Sequence, residues 1–326
     1  VTKPRGAGDD PPVALIVAGP TASGKSALAL DLARRIRGTI INADSMQVYR
    51  ELRILTARPM QAEEAELPHA LYGVRSAAEP GSAAWWRDAA LVAMAGAAAH
   101  GEVPILCGGT GLYFNSLING LSPIPPVTPE ARKEARALLK QLGPTALHAR
   151  LTDVDPITAA RLRPTDSQRL ARAWEVWRSS SRGLAAWQAE PGEAPPWTFR
   201  AILLAPPRDV LRPAIEGRFA AMLATGALDE VRALLELGLG PTLPAMRAHG
   251  VPELAAHLWG EITLEEATRR ATLATGQYAK RQATWFRHHA LAPTDHTHTI
   301  HARYASLTQF SERNLGSLLN FIETLA

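Results

Sequence analysis

A lysine and a serine closing a glycine-bounded loop are the first residues of this chain equipped to do chemistry. Residues 19–26 read GPTASGKS, so Gly19, Gly24, Lys25 and Ser26 satisfy the G-x-x-x-x-G-K-[ST] pattern. The apolar run Ala14 to Ala18 precedes it and the helix-forming run Ser26 to Leu30 follows. That is the strand–loop–helix setting the pattern requires. There, backbone N–H groups curl around a cluster of anionic oxygens and the helix N-terminus adds partial positive charge. The expected cradle is Gly19, Pro20, Thr21, Ala22, Ser23, Gly24, Lys25 and Ser26. Lys25 meets the outer phosphate as a point charge, and the Ser26 hydroxyl is a partial ligand for Mg²⁺. The cradle alone does not say what carries the phosphate.

Two further groups stand where α/β sheets place their ligands. The run Thr39 to Ala43 reads as a strand that ends in Asp44-Ser45-Met46-Gln47-Val48-Tyr49. An acid just past a strand end can be a base, can steer Mg²⁺, or can simply cap a helix. The run Val103 to Cys107 reads as another buried strand and leads into Gly108-Gly109-Thr110-Gly111. Such a turn permits close backbone approach to a ligand, or is a plain tight turn. Between Glu266 and Asp295 there is no acid, while Arg269, Arg270, Lys280, Arg281 and Arg287 alternate with Tyr278, Trp285 and Phe286. Cations with interleaved aromatics suit a nucleic-acid face, and equally suit a solvated helix with its aromatics turned inward.

The elements that must position these groups form an α/β core interrupted by helices. Strands are expected at 14–18, 39–43, 103–107 and 199–205, with helices at 210–223, 228–237 and 264–287 completing the second half. Pro-rich SPIPPVTP and Pro191 to Pro196 bound a segment with helical patterns at 129–142, 145–151 and 167–179. In the last, Leu170, Ala173, Trp174 and Trp177 recur on one apolar face, and Gln168, Arg169 and Arg172 point elsewhere. The organisation read from the sequence is a lead-in at 1–11, a discontinuous core at 12–115 and 198–290, a helical insertion at 116–197 and a tail at 291–326. The lead-in is polar and Pro/Gly-rich, without the apolar stretch of a signal peptide, and is expected to be disordered. His288, His289, His296, His298 and His301 lack acidic or cysteine partners at ligand spacing and read as a solvated loop.

The chain has 326 residues, 46% hydrophobic and 20% charged, with a net charge of +4. That suits an ordinary soluble protein with ample core, and favours an anionic partner only weakly. Its single cysteine, Cys107, excludes an internal disulfide framework and reads as a buried small hydrophobe. No run of eighteen apolar residues occurs, so no membrane partner is expected.

Five motifs in order, GPTASGKS (19–26), DSMQVY (44–49), GGTGLY (108–113), DSQRLARAWEV (166–176) and YAKRQATWFR (278–287), resemble those of the bacterial tRNA dimethylallyltransferases, also called tRNA isopentenyltransferases. The resemblance runs from Pro12 to Phe286, with departures at 55–58, 246–253 and Gly276. It implies an α/β fold, a P-loop NTPase-like parallel sheet with an inserted, mainly helical domain. It implies transfer of a dimethylallyl group from dimethylallyl diphosphate to N6 of the adenosine beside the anticodon of tRNA, with Mg²⁺ as cofactor, in a cytoplasmic monomer. The cradle would then hold diphosphate, Asp44 would take the N6 proton, Thr21 and Thr110 would position donor and base, and Gln47 would read the adenine edge. Arg218 resembles the family arginine that meets the diphosphate. The tRNA contacts implied are Asp44, Ser45, Met46, Gln47, Thr110, Gln168, Arg169, Leu170, Ala171, Arg172, Lys280, Arg281 and Gln282. A small-metabolite P-loop kinase explains the first fifty residues equally well but not the helical insertion. An adenylate isopentenyltransferase shares the chemistry but needs no tRNA-binding segments. A non-catalytic RNA-binding protein leaves Asp44 and the GGTGLY turn without purpose.

Overall fold

Alternation along the first strand decides how the sheet is covered. In β1 (Val13–Ala18), Ala14, Ile16 and Ala18 join one apolar cluster, and Leu15 and Val17 join another on the opposite face. A strand buried on both faces belongs at the centre of a parallel sheet. The computed structural model describes residues 11–310 and 312–323. In chain order, β1 is followed by α1 (Lys25–Ile36), β2 (Gly38–Asn42), α2 (Gln61–Glu66), β3 (His69–Ala70), α3 (Ala83–Ala99), β4 (Val103–Gly108) and α4 (Gly111–Ile118). Then come α5 (Pro129–Val154), α6 (Pro156–Ala159), α7 (Ser167–Ser180) and α8 (Leu184–Gln188). The chain returns through β5 (Thr198–Leu204), α9 (Arg208–Ala224), α10 (Ala227–Glu236), α11 (Val251–Leu258), α12 (Leu264–His288), β6 (Thr297–Ile300) and α13 (Glu312–Glu323).

The six strands are all parallel, in the order β3-β2-β4-β1-β5-β6. Strands β2, β4 and β1 are therefore neighbours, and the turns after them open at the same edge. One face of the sheet packs on Trp86, Phe114, Phe219, Leu254 and Phe286, from α3, α4, α9, α11 and α12. The other packs on Leu28 and Leu32 of α1 and Leu318 and Ile322 of α13. This is a mixed α/β architecture with a parallel sheet, as the resemblance implied.

The chain divides into a core unit, 1–118 with 196–326, and a helical unit, 119–195. In the helical unit α5 packs on α7 through Leu147, Leu151, Leu170 and Trp174. Gly143, at φ 76°, breaks α5 just before Pro144, which accounts for the two helical stretches read from sequence. Asp155 caps α6 by accepting from Thr158 N at 3.2 Å and also accepts from Leu184 N at 3.1 Å, tying α6 to α8.

Two expectations need correction. The described residues of the expected tail, 291–326, join the core, because Thr297–Ile300 pairs with β5 as the edge strand and Tyr304 is buried beneath the P-loop helix. His298 consequently lies in a strand rather than in a solvated loop, and burial lowers its pKa. The expected disordered lead-in falls at residues 1–10, outside the described residues, except for Pro11. Among the described residues no helix is long and apolar enough to cross a membrane.

Candidate active site

The cradle is built by glycines that other residues could not replace. Gly24 caps α1 at φ 92°, and a Cβ there would lie 2.0 Å from the carbonyl oxygen of Tyr304. The loop tightens as Ser23 N donates to Pro20 O at 3.2 Å, and Ala22 takes φ 63°. Residues just after β6 brace it from outside. Tyr304 N donates to Ser23 O at 2.8 Å, and Arg303 Nε donates to Ala22 O at 3.1 Å.

Asp44 is held by its own strand. Asn42, fully buried, accepts from Asp44 N at 2.8 Å and donates to Asp44 O and Leu71 O at 3.0 Å each. One carboxylate oxygen of Asp44 accepts from Met46 N at 2.9 Å, a local turn rather than a helix cap, since no helix begins here. The second oxygen makes no hydrogen bond to the described residues.

The GGTG turn after β4, read as either a close approach to a ligand or a plain tight turn, brings other parts of the protein close to its backbone. Cβ atoms at Gly108, Gly109 and Gly111 would lie 2.1 Å from Ala43 O, 2.1 Å from Gln282 Nε2 and 2.3 Å from the Trp285 ring. The glycines admit the protein's own groups. Thr110 then stitches this turn to the one after β2. Its N donates to Ala43 O at 3.2 Å, and its Oγ1 accepts from Ser45 N at 2.9 Å.

Gln282 was expected to touch tRNA, and the structure removes it from that role. It is 4% exposed, and both ends of its amide are occupied. Its Oε1 accepts from Thr21 N at 2.8 Å and its Nε2 donates to Gly109 O at 2.9 Å, so α12 latches the cradle to the GGTG turn. Gln47 is anchored likewise, with Nε2 donating to Thr56 O and Ala57 O at 2.9 Å. Both its donors are used, which leaves only Oε1 to meet an adenine edge. Leu170 is fully buried in the helical unit and cannot contact tRNA. Ala171 is half-buried, while Gln168, Arg169 and Arg172 are exposed on α7. Lys280 and Arg281 are exposed on α12, and Arg281 lies over the Tyr278 ring at 5.5 Å.

These elements surround two cavities that share Arg218. The larger, about 660 Å³, is lined by Gly24, Lys25, Ser26, Cys107, Arg218 and Arg303 among others. The smaller, about 70 Å³, meets Thr21, Asp44, Arg218, His249 and Tyr278, with Leu55, Phe219 and Met222 as its apolar wall. Arg218 donates from a terminal nitrogen to Thr21 Oγ1 at 2.5 Å. Burial lowers the pKa of Lys25, opposed by the attraction of Asp44. Burial also lowers that of Arg218, again opposed by Asp44, while Arg303 adds repulsion. Cys107 is buried, as expected, with its thiol pushed up to about 11 by burial despite the pull of Lys25 and Ser26. Cations held at a cost in a cavity lined by one carboxylate, Glu63, with Asp44 also drawing on them, are set for a polyanion.

Among the described residues no three His, Cys, Asp or Glu side chains gather as a metal site. The Ser26 hydroxyl, exposed to the large cavity, is a hard oxygen donor. That donor set fits Mg²⁺ carried mainly by phosphate oxygens and water, and not a dedicated protein cage.

Sequence reasoning missed His249 and Arg303, and read Tyr278 only as an aromatic among cations rather than as a wall of the small cavity. The rings of Tyr278 and His249 meet at 5.0 Å beside Asp44, and burial raises the tyrosine pKa and lowers the histidine pKa. Nothing in their local spacing distinguishes them from packing residues.

The family model for IPP transferase matches residues 47–289. The chain belongs to that family. A second model, isopentenyl transferase, matches residues 12–75. A tRNA dimethylallyltransferase of Granulibacter bethesdensis is 60% identical over 310 residues, covering 95% of this chain and 97% of that one. One of Gluconobacter oxydans is 59% identical, covering 95% and 93%. Among solved structures, the full-length tRNA isopentenylpyrophosphate transferase of Bacillus halodurans superposes with a TM-score of 0.67 at 31% identity, covering 97% of this chain and 96% of that one. A eukaryotic dimethylallyltransferase acting on tRNA superposes at 0.78 with 25% identity, covering 96% and 80%. The family's shared region thus includes Asp44's neighbours, the GGTG turn, Arg218 and the Gln282 latch.

Proposed function

We propose that this chain is a tRNA dimethylallyltransferase, moving a dimethylallyl group from dimethylallyl diphosphate to N6 of the adenosine beside the anticodon. The observation that carries the reading is the placement of Lys25, Thr21 and Asp44 around two cavities that Arg218 lines in common. One cavity is cationic and suits a diphosphate. The other is small, partly apolar and lined by Asp44, which suits the reacting carbon and nitrogen.

The allylic C–O bond breaks and its electron pair leaves with the diphosphate. Lys25, Arg218 and the amides of 21–26 stabilise that departing charge. The adenine N6 forms the new bond to the allylic carbon, and its proton passes to the Asp44 carboxylate. N6 is a weak nucleophile because its lone pair is delocalised into the ring, so the base must be fixed in place. The Asn42 and Met46 contacts fix it. Ser26 would hold Mg²⁺, which supplies further neutralisation of the diphosphate. The apolar wall keeps water from the cationic carbon. Reaching this recess requires the adenosine to leave its stack. Gln168, Arg169 and Arg172 on the helical unit, and Lys280 and Arg281 on α12, are exposed and suited to tRNA phosphates. We take the enzyme to act as a cytoplasmic monomer.

Incubation with labelled dimethylallyl diphosphate, unmodified tRNA and Mg²⁺ tests the reading, with AMP, and ATP plus metabolites, as parallel acceptor trials. Label entering an adenosine of tRNA is expected. Label entering AMP alone, or phosphate leaving ATP for a metabolite, would overturn it.

A further inference from the structure

The segment after β6 lies beyond the region matched by the family model, 47–289, yet it reaches the cradle. Two anchors place it there. Tyr304 donates from its N to Ser23 O at 2.8 Å and from its hydroxyl to Asp31 at 2.6 Å. Gly24 lacks a Cβ at the point where Tyr304 O passes. These contacts bring Arg303, the preceding residue, to the wall of the large cavity alongside Lys25, Ser26 and Arg218. Its Nε is spent on Ala22 O, at 3.1 Å. Among the described residues no carboxylate pairs with it, and its two terminal nitrogens make no side-chain hydrogen bond. Arg303 and Arg218 repel one another across the cavity. A guanidinium oriented through Nε, with its outer fork free and a second arginine near, is arranged for an anion bearing more than one charge.

We propose that Arg303 is a third cationic ligand of the diphosphate, completing with Lys25 and Arg218 the set that receives the leaving group. The inference rests on the diphosphate reading of the cavity given above. It assigns a catalytic residue to a part of the chain that sequence reading took for a tail. Arg303 and the Gln282 latch hold neighbouring residues of the loop, Arg303 at Ala22 O and Gln282 at Thr21 N.

The test is titration of the full chain with inorganic pyrophosphate and Mg²⁺, read by calorimetry, for the wild type, Arg303→Gln and Arg303→Lys. Loss of a charge-assisted contact should weaken pyrophosphate binding in Arg303→Gln about tenfold or more. Arg303→Lys should recover part of that loss, because a charge remains without the fork. Binding of inorganic monophosphate should change less, and thermal unfolding should report a folded protein, since the Tyr304 anchors remain. Equal pyrophosphate affinity in the wild type and Arg303→Gln would overturn the assignment while leaving the diphosphate cavity intact. No pyrophosphate binding by the wild type would instead sink the reading of the cavity itself. If Arg303→Lys were as weak as Arg303→Gln for both anions alike, Arg303 would be a prop for Ala22 and not a ligand.

Discussion

Replacing Gln282 by Glu changes one atom of the latch and should change the enzyme's dependence on pH. In the wild type the amide accepts from Thr21 N and donates to Gly109 O, both within 2.9 Å. An ionised carboxylate can keep the first bond but turns an acceptor toward the second carbonyl. Gly109 O is then a buried acceptor without a donor, which costs about 1–3 kcal/mol, and the carboxylate is desolvated besides. A value of about 2 kcal/mol should speed hydrogen exchange of the Thr21 amide about thirtyfold if opening the latch exposes it. The protonated acid, by contrast, can donate to Gly109 O as the amide does. Burial and the facing carbonyl therefore raise this carboxyl's pKa in the folded protein. The sign follows: its stabilising contact is fully present below the unfolded glutamate pKa of about 4.3 and is lost as pH rises through the higher folded value. Exchange measured by mass spectrometry on the P-loop peptide at pH 5 and pH 8, each against wild type, reads this directly. Gln282→Leu should show the loss at both values. A Glu variant indistinguishable from wild type at pH 8, or equally impaired at both, would refute the latch.

Asp44→Asn keeps an acceptor for Met46 N, so the turn should survive while transfer falls at least about a hundredfold and tRNA affinity stays near normal; preserved turnover in a single-turnover assay would remove Asp44 as the base. Lys25→Met removes a cation whose charged form burial disfavours, so the ligand-free Tm should rise at neutral pH as pyrophosphate affinity collapses. A fall in Tm would mean the attraction of Asp44 outweighs burial. Arg281→Ala, at an exposed site on α12, should weaken tRNA binding and lower the slope of log K against log salt by about one, and an unchanged slope would place the phosphate contact elsewhere.

The cradle and the two turns beside it were legible because each follows a continuous apolar run and breaks on Gly or Asp. Such punctuation is local, and the chain needs only neighbours in sequence to declare it. What escaped was set by partners far away. Gln282 sits in a run of cations, AKRQ, and only contacts 261 and 173 residues distant show that it faces inward. Strand β3 has two residues, too few for any period, and β6 reads THTI, polar enough at a sheet edge to pass for a loop. Leu170 is instructive, since helical spacing put it on the apolar face of α7 while the motif resemblance grouped it with tRNA contacts. The buried side chain sides with the spacing. The tail was misjudged because five histidines within fourteen residues looked solvated, and the sheet's need for a cover on β5 is not written nearby.

The brace on the cradle also has a consequence for how the protein is made. The contact from Arg303 to Ala22 spans 281 residues, and the loop precedes its brace in the chain. Chains emerge from the ribosome N-terminal end first and fold as they lengthen. The apolar strands β1, β2 and β4 can find one another early, but β6 and the residues that brace Ser23 and Ala22 emerge only after β5 and α12. Closing so long a loop is slow, because its entropy is lost before the contact repays it. A nascent chain should therefore pass through a stage with a formed sheet and an unbraced cradle, which lasts until Arg303 and Tyr304 have emerged.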